Sequence, residues 1–156
     1  DPATDAVCLA RFARLWKQKR EDPAEDFLDR ADHALAAVIL FDQLPRNMFR
    51  GSADAFASDA LAVAVARGAL AKGYDLQIGG AGRHFFYMPF QHSEAIEDQD
   101  RSLELFAAMG DEEALDFARE HYAVIERFGR FPHRNAVLGR PDAPGEESAI
   151  AEGSQW

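Results

Sequence analysis

Every strongly apolar stretch of this chain repeats with the period of an α-helix, and none alternates with the two-residue period of a strand. Leu9, Phe12, Ala13 and Trp16 stand at i, i+3, i+4 and i+7, which predicts a first helix over residues 6–19. Asp22-Pro23-Ala24-Glu25 has the form of a helix start, with an acidic N-cap, proline in the first turn and glutamate three residues after the cap. A short helix through Arg30 is expected from it. Residues 33–44 are apolar almost all round and predict a central helix buried on several sides. Ser52 is the expected cap of a long alanine-rich helix that Gly73 stops with a left-handed residue. Helices over residues 82–92 and 93–109 follow, and their short link implies an antiparallel hairpin. Asp111 caps the next helix, in which Leu115, Ala118, Tyr122 and Ile125 form one stripe before Phe128-Gly129 ends it. Pro132 opens a short helical turn. The expected fold class is therefore all-α, built from antiparallel helical hairpins.

A chain of 156 residues suits one domain spanning residues 1–156, with a core that needs no disulfide or structural metal. Its Pro-, Gly- and Glu-rich tail, residues 141–156, is expected to be loosely attached. The single cysteine, Cys8, fits a reducing compartment, so a cytoplasmic location is expected. The longest strongly apolar run, residues 34–41, falls far short of the ~20 residues of a membrane span, and no basic-then-apolar signal segment opens the chain. Seventeen Lys and Arg against 27 Asp and Glu give a net charge of −10, which repels phosphate backbones and anionic lipid surfaces. Neither a nucleic acid nor a membrane is an expected partner. The chain opens at Asp1 without a methionine, as a processed or trimmed piece of a longer polypeptide would.

One repetition stands out. Residues 33–47 and 121–135 both run from His through an apolar helix to Phe, then Pro, then Arg-Asn, so that Leu44-Pro45-Arg46-Asn47 is echoed by Phe131-Pro132-His133-Arg134-Asn135. These segments break local electrostatic rules. Asp42 falls in the last turn of the predicted central helix, where the dipole disfavours a carboxylate, whereas Arg46, His133 and Arg134 fall in proline-started first turns that disfavour cations. Each asks for an opposite charge nearby. One account is an internal network in which guanidinium forks tie loops to helices. The other is a pocket for a carboxylate or phosphate surrounded by Arg46, Arg50, Arg130, His133 and Arg134 with exposed helix N-terminal amides, with Asp42, Gln43, Asn47, Glu94 and Asn135 as further candidate ligand-binding residues. A second polar group, His84, Tyr87 and Gln91, shares one stripe of a helix with His92 at its end, and Pro89 is expected to kink that helix or begin a new segment. On the following helix Glu97 and Arg101 are an i, i+4 pair on what reads as a solvated surface. No His-Glu-x-x-His motif, nucleophile elbow or P-loop ending occurs, so no metal, cofactor or catalytic nucleophile is assigned.

The words FDQLPRNMFRG (residues 41–51), FFYMPFQHSE (85–94), DQDRSLELF (98–106) and FGRFPHRNAVLGR (128–140) resemble, in this order, a bacterial family known as domain of unknown function nine-two-four. The resemblance covers about residues 35–140. It implies helical hairpins stacked in a tetratricopeptide-repeat-like arrangement, and characteristic polar positions at Asp42, Gln43, Arg46, Asn47, Arg50, His92, Ser93, Glu94, Asp98, Gln99, Arg101, Arg130, His133, Arg134 and Asn135, with no activity attached. Members of that family open with an aromatic-rich Phe-Trp segment; by that comparison the first hairpin here is incomplete or its start lies upstream of Asp1. Three functions are open to such a chain. The leading one is a binding module for a small anionic ligand or a peptide carboxylate. The others are a hydrolase or lyase without a covalent intermediate, with His92 or His133 as general base, and a structural scaffold.

Overall fold

The computed structural model describes residues 1–151, and every regular element among them is helical. None of these helices is long and apolar enough to cross a membrane. The chain divides into two compact units, one running Asp1–Ser93 and the other beginning at Glu94.

In the first unit, α1 (Pro2–Lys19) begins before residue 6 because Asp1 accepts the Ala3 N–H at 2.8 Å and Pro2 fits the first turn. Asp22 does not cap a helix. It pairs with Lys19 at 2.8 Å, and the backbone makes only a tight 3₁₀ turn, Ala24–Phe27, which turns Phe27 inward. The central helix is longer than its periodicity predicts and is not uniform. α2 (Ala31–Val38) passes through a wide π turn, Ile39–Gln43, into α3 (Leu44–Met48). Pro45 accounts for the irregularity: it has no N–H to give the carbonyl of Phe41, four residues back. That carbonyl instead accepts the Ser58 hydroxyl at 2.7 Å, and Ser58 Oγ accepts the Trp16 indole N–H at 2.8 Å. The wide turn also directs Leu40, Phe41 and Asp42, three consecutive residues, into the interior. Phe41 there meets Phe27 edge to face at 5.1 Å.

Ser52 caps only the short turn Ala53–Ala55, and the long alanine-rich helix, α4, is Asp59–Ala71. Gly68 is a packing residue within it, since a Cβ there would fall 2.2 Å from Leu28 Cδ1. Gly73 stops α4 in the left-handed conformation, as predicted. A short α5 (Tyr74–Ile78) follows, and α6 (Gly80–His92) carries Pro89 within it without ending there. α6 buries Phe86, Tyr87 and Phe90.

In the second unit, α7 (Ile96–Met109) and α8 (Glu112–Phe128) form a hairpin through left-handed Gly110 and Asp111, which caps α8 by accepting the Ala114 N–H at 3.1 Å. Leu115, Ala118 and Ile125 of the predicted stripe are buried and Tyr122 is half-buried. The polar face of α7 departs from its reading as solvated surface: Asp98, Gln99 and Ser102 are buried, and Arg101 pairs with Glu104 rather than Glu97. Gly129 ends α8, after which come a 3₁₀ turn Pro132–Arg134, α9 (Asn135–Leu138) and α10 (Glu146–Ala151). The described part of the tail is held by Glu146, which is buried; residues 152–156 of that expectation lie outside the described residues.

Candidate functional site

The π turn places Asp42 at the centre of a buried polar cluster in the first unit. Its Oδ1 lies 2.7 Å from Nδ1 of His92, at the end of α6, and 3.5 Å from Nη1 of Arg46 on α3. Gln43 donates its side-chain amide to Oδ2. Arg46 also donates to the Asp42 carbonyl and holds Asp59, at the start of α4, through two parallel bonds of 2.9 and 3.0 Å. Burial by itself pushes the Asp42 carboxyl up, but the neighbouring His92 and Arg46, with hydrogen bonds from His92 and Gln43, outweigh it and hold the group down to about 2. Burial likewise moves His92 below its ordinary value against the pull of Asp42. The pair at neutral pH is therefore a carboxylate accepting Nδ1–H from a neutral imidazole, which fixes the tautomer that carries its lone pair on Nε2.

Asn47 and Arg50, from the same word of sequence, turn to a different carboxylate. Asn47 donates to Asp5 Oδ1 at 2.8 Å, and Arg50 spans both Asp5 oxygens at 2.8 and 3.2 Å, which ties the end of α3 to α1. Of the α6 stripe, Tyr87 is buried, donates its hydroxyl to Asp75 at 2.7 Å and accepts from Arg83 at 2.7 Å. Gln91 is buried beside His92 in sequence, and His84 is half-buried on the same helix.

The echoed word in the second unit, with Arg130 just before it, is also tied to carboxylates. Arg130 grips Glu146 of α10 through two bonds of 2.7 Å and also holds the Pro141 carbonyl, while Asn135 donates to Glu146 and to Asp142. Hydrogen bonds from Arg130 and the Ala143 N–H hold the Glu146 carboxyl down to about 2. Glu94 receives Arg140 bidentately at 2.8 and 3.0 Å and the Phe131 N–H at 2.7 Å, and Arg140 also donates to the Phe131 carbonyl. One ion pair thus satisfies both backbone groups of the residue that precedes Pro132. Arg134 is buried with its guanidinium 4.5 Å over the Phe131 ring, and His133 is half-buried with its ring 5.8 Å from the same aromatic.

The structure accordingly brings Asp42, Gln43, Arg46 and His92 together in the first unit, and Glu94, Arg130, Arg134 and Asn135 around Phe131 and Glu146 in the second. Sequence reasoning missed the acidic partners Asp5, Asp59 and Glu146, and missed Arg140. Proline-broken hydrogen bonding was the available signal for the π turn; nothing local marks the distant carboxylates. Among the described residues, no group of three or more His, Cys, Asp or Glu side chains is arranged to hold a metal ion.

The class defined by these features is an all-helical protein whose recurring Pro-Arg-Asn words are fastened to carboxylates from other elements. The chain belongs to the family described as bacterial protein of unknown function (DUF924), whose model matches residues 1–154, a wider span than the sequence words alone covered. It is also similar to the solved structure of a protein of unknown function from Agrobacterium tumefaciens, at 40% identity and a TM-score of 0.88, over 98% of this chain and 86% of that one. No curated protein matches it.

Proposed function

We propose that this chain is a binding module in which the Arg/Asp words brace helix ends and recognition takes place at an apolar cleft of the first unit. The observation that carries this reading is the cleft itself, about 430 Å³ in volume, with walls from Phe12 and Leu15 of α1, Phe27 of the 3₁₀ turn, Ala36 and Ala37 of α2, and Ile39, Leu40 and Leu44 further along the central helix. That volume lies within the ~300–1,000 Å³ of ligand sites. Lys19 and His33 are the ionisable groups in its wall, and each has an internal acid, Asp22 and Asp29 respectively. The anionic-ligand reading meets an obstacle in the geometry: at Arg46, Arg50 or Arg130 an incoming carboxylate would have to displace Asp59, Asp5 or Glu146 from a two-bond grip. Stacked tetratricopeptide-like hairpins and a cytoplasmic setting belong to the same proposal, supported by the α7–α8 hairpin and the single cysteine. An uncharged environment-sensitive apolar dye tests it. The wild type should bind the dye, and Ala36→Trp, at an exposed position that fills the cleft, should weaken binding about tenfold with the melting temperature kept. Equal affinity for the two proteins would move recognition away from the cleft.

A second reading rests on the 2.7 Å contact between Asp42 and His92, two titratable groups within hydrogen-bond reach. A carboxylate on Nδ1 orients an imidazole whose Nε2 is basic, the arrangement a general base requires in a hydrolase or lyase. Nitrogen-detected NMR of the imidazoles tests its premise. His92 should be the neutral Nδ1–H form at pH 7 and should titrate below its ordinary value of 6.5; an Nε2–H form, or titration at or above 6.5, would remove the base.

A further inference from the structure

An anion reaching the bracing arginines must evict a carboxylate, but α1 carries cations that hold none. Residues 6–20 include five cations, Arg11, Arg14, Lys17, Lys19 and Arg20, and no acid. Lys19 pairs with Asp22 and Arg20 with Glu21, whereas Arg11, Arg14 and Lys17 make no ion pair among the described residues. Of these three, Arg11 adjoins the cleft: it is exposed, and its guanidinium lies 5.8 Å over the ring of Phe12, a wall residue. The wall itself contains no carboxylate. Its ionisable groups, Lys19 and His33, are balanced by Asp22 and Asp29, which stand outside it. The exposed Glu25 and Asp26 belong to the turn that carries Phe27, and Asp26 acts with Asp22 on Lys19. The two ends of the α1 wall therefore differ. The Lys19 end is neutralised, while the Arg11 end, two helical turns and roughly 12 Å away, keeps its positive charge. The neighbours of Arg11 one turn away on α1 are Val7, Cys8, Arg14 and Leu15, none of them acidic.

Resting on the cleft reading, we propose that the ligand is a small single-chain aliphatic carboxylate, its head taken by Arg11 and its hydrocarbon chain laid in the cleft against Phe12, Leu15 and Leu40. Apolar walls with one well-placed polar group are the usual form of a small-molecule site: the walls supply affinity and the polar group fixes orientation. A guanidinium fork can meet both carboxylate oxygens in parallel, and at Arg11 no internal acid has to leave first, in contrast to Arg46, Arg50 and Arg130. A cationic amphiphile would set its head against Arg11, and an uncharged one would leave the guanidinium unused. The net charge of −10 does not reverse this preference, because at physiological salt a charge is screened beyond about 8 Å and the head responds to its immediate neighbours.

Displacement of the uncharged apolar dye by decanoate, 1-decanol and decylammonium, each below its micelle concentration at neutral pH, tests the proposal. Decanoate should bind at least about tenfold more tightly than either of the others. A series from octanoate to dodecanoate should tighten roughly fourfold for each added methylene. Arg11→Gln, at an exposed position, should cost decanoate about tenfold while leaving the dye and 1-decanol unchanged. Arg14→Gln removes the same charge from a side chain outside the wall and should change decanoate binding by less than about twofold. Ala36→Trp should weaken dye and decanoate alike. If 1-decanol or decylammonium binds as tightly as decanoate, or if decanoate is indifferent to Arg11→Gln or equally weakened by Arg14→Gln, the carboxylate proposal is overturned and the cleft reading stands. Dye binding insensitive to Ala36→Trp removes the cleft reading, and the carboxylate proposal with it.

Discussion

Asp42→Ala should lower the unfolding free energy by about 3–5 kcal/mol, the cost of removing one partner of a buried charge network. The carboxylate is fully shielded from solvent, and its loss removes the acceptor opposite Nδ1 of His92 and a negative charge beside the largely buried Arg46. Arg46 keeps its grip on Asp59, which limits the damage to the His92 side of the cluster. Asp42→Asn should cost less, because an amide oxygen can still accept from His92 while the charge opposite Arg46 disappears. The pH dependence has a definite sign. With its pKa held at about 2 in the folded chain against 3.8 unfolded, the carboxyl contributes stability that is fully present above pH 4 and lost as pH falls through about 2. Asp5 and Glu146, also held at about 2, act in the same window. Urea unfolding at pH 7, 4 and 3 measures all of this: the gap between wild type and Asp42→Asn should narrow toward the acid end. A loss under about 1 kcal/mol for Asp42→Ala at pH 7 would show that water replaces the carboxylate at little cost, contrary to a sealed cluster.

The helices were legible because burial of one face imposes a 3.6-residue period that needs no knowledge of partners, as the stripe Leu115, Ala118 and Ile125 illustrates. Caps were legible where the capping side chain had nothing better to do, as at Asp111 and at the left-handed stops Gly73, Gly110 and Gly129. They failed where a side chain had a competing partner: Asp22 goes to Lys19 instead of a helix start. The unusual placements of Asp42 and Arg46 in their helical turns correctly marked a place needing compensation, but the identity of the compensating groups is tertiary information. His92 lies 50 residues from Asp42, and Asp5 lies 42 residues from Asn47. The same blindness covers the cleft. Phe12 and Leu40 each read as ordinary core positions, and only the fold reveals that their shared surface is incompletely covered.

Ser58→Ala should destabilise the chain by about 2–4 kcal/mol, a large effect for the loss of one oxygen, because that oxygen serves two buried groups at once. Pro45 deprives the Phe41 carbonyl of its helical donor, and the Ser58 hydroxyl supplies the replacement. The same oxygen accepts the indole N–H of Trp16, which is itself buried. Threonine keeps the hydroxyl but adds a methyl group where Ser58 is already buried, so Ser58→Thr should recover part of the loss. A double-mutant cycle separates this relay from simple packing. Trp16→Phe removes the indole donor, so adding Ser58→Ala to it should cost about 1 kcal/mol less than Ser58→Ala alone. If Ser58→Ala falls within about 0.5 kcal/mol of wild type, the Phe41 carbonyl must find a donor elsewhere. The relay would then not account for the π turn, and Asp42 would owe its buried position to the His92 and Arg46 contacts instead. A confirmed loss with the predicted coupling makes the chain of cause continuous: a proline breaks one backbone bond, a serine just before α4 repairs it, and the widened turn carries a carboxylate into the core to meet its imidazole.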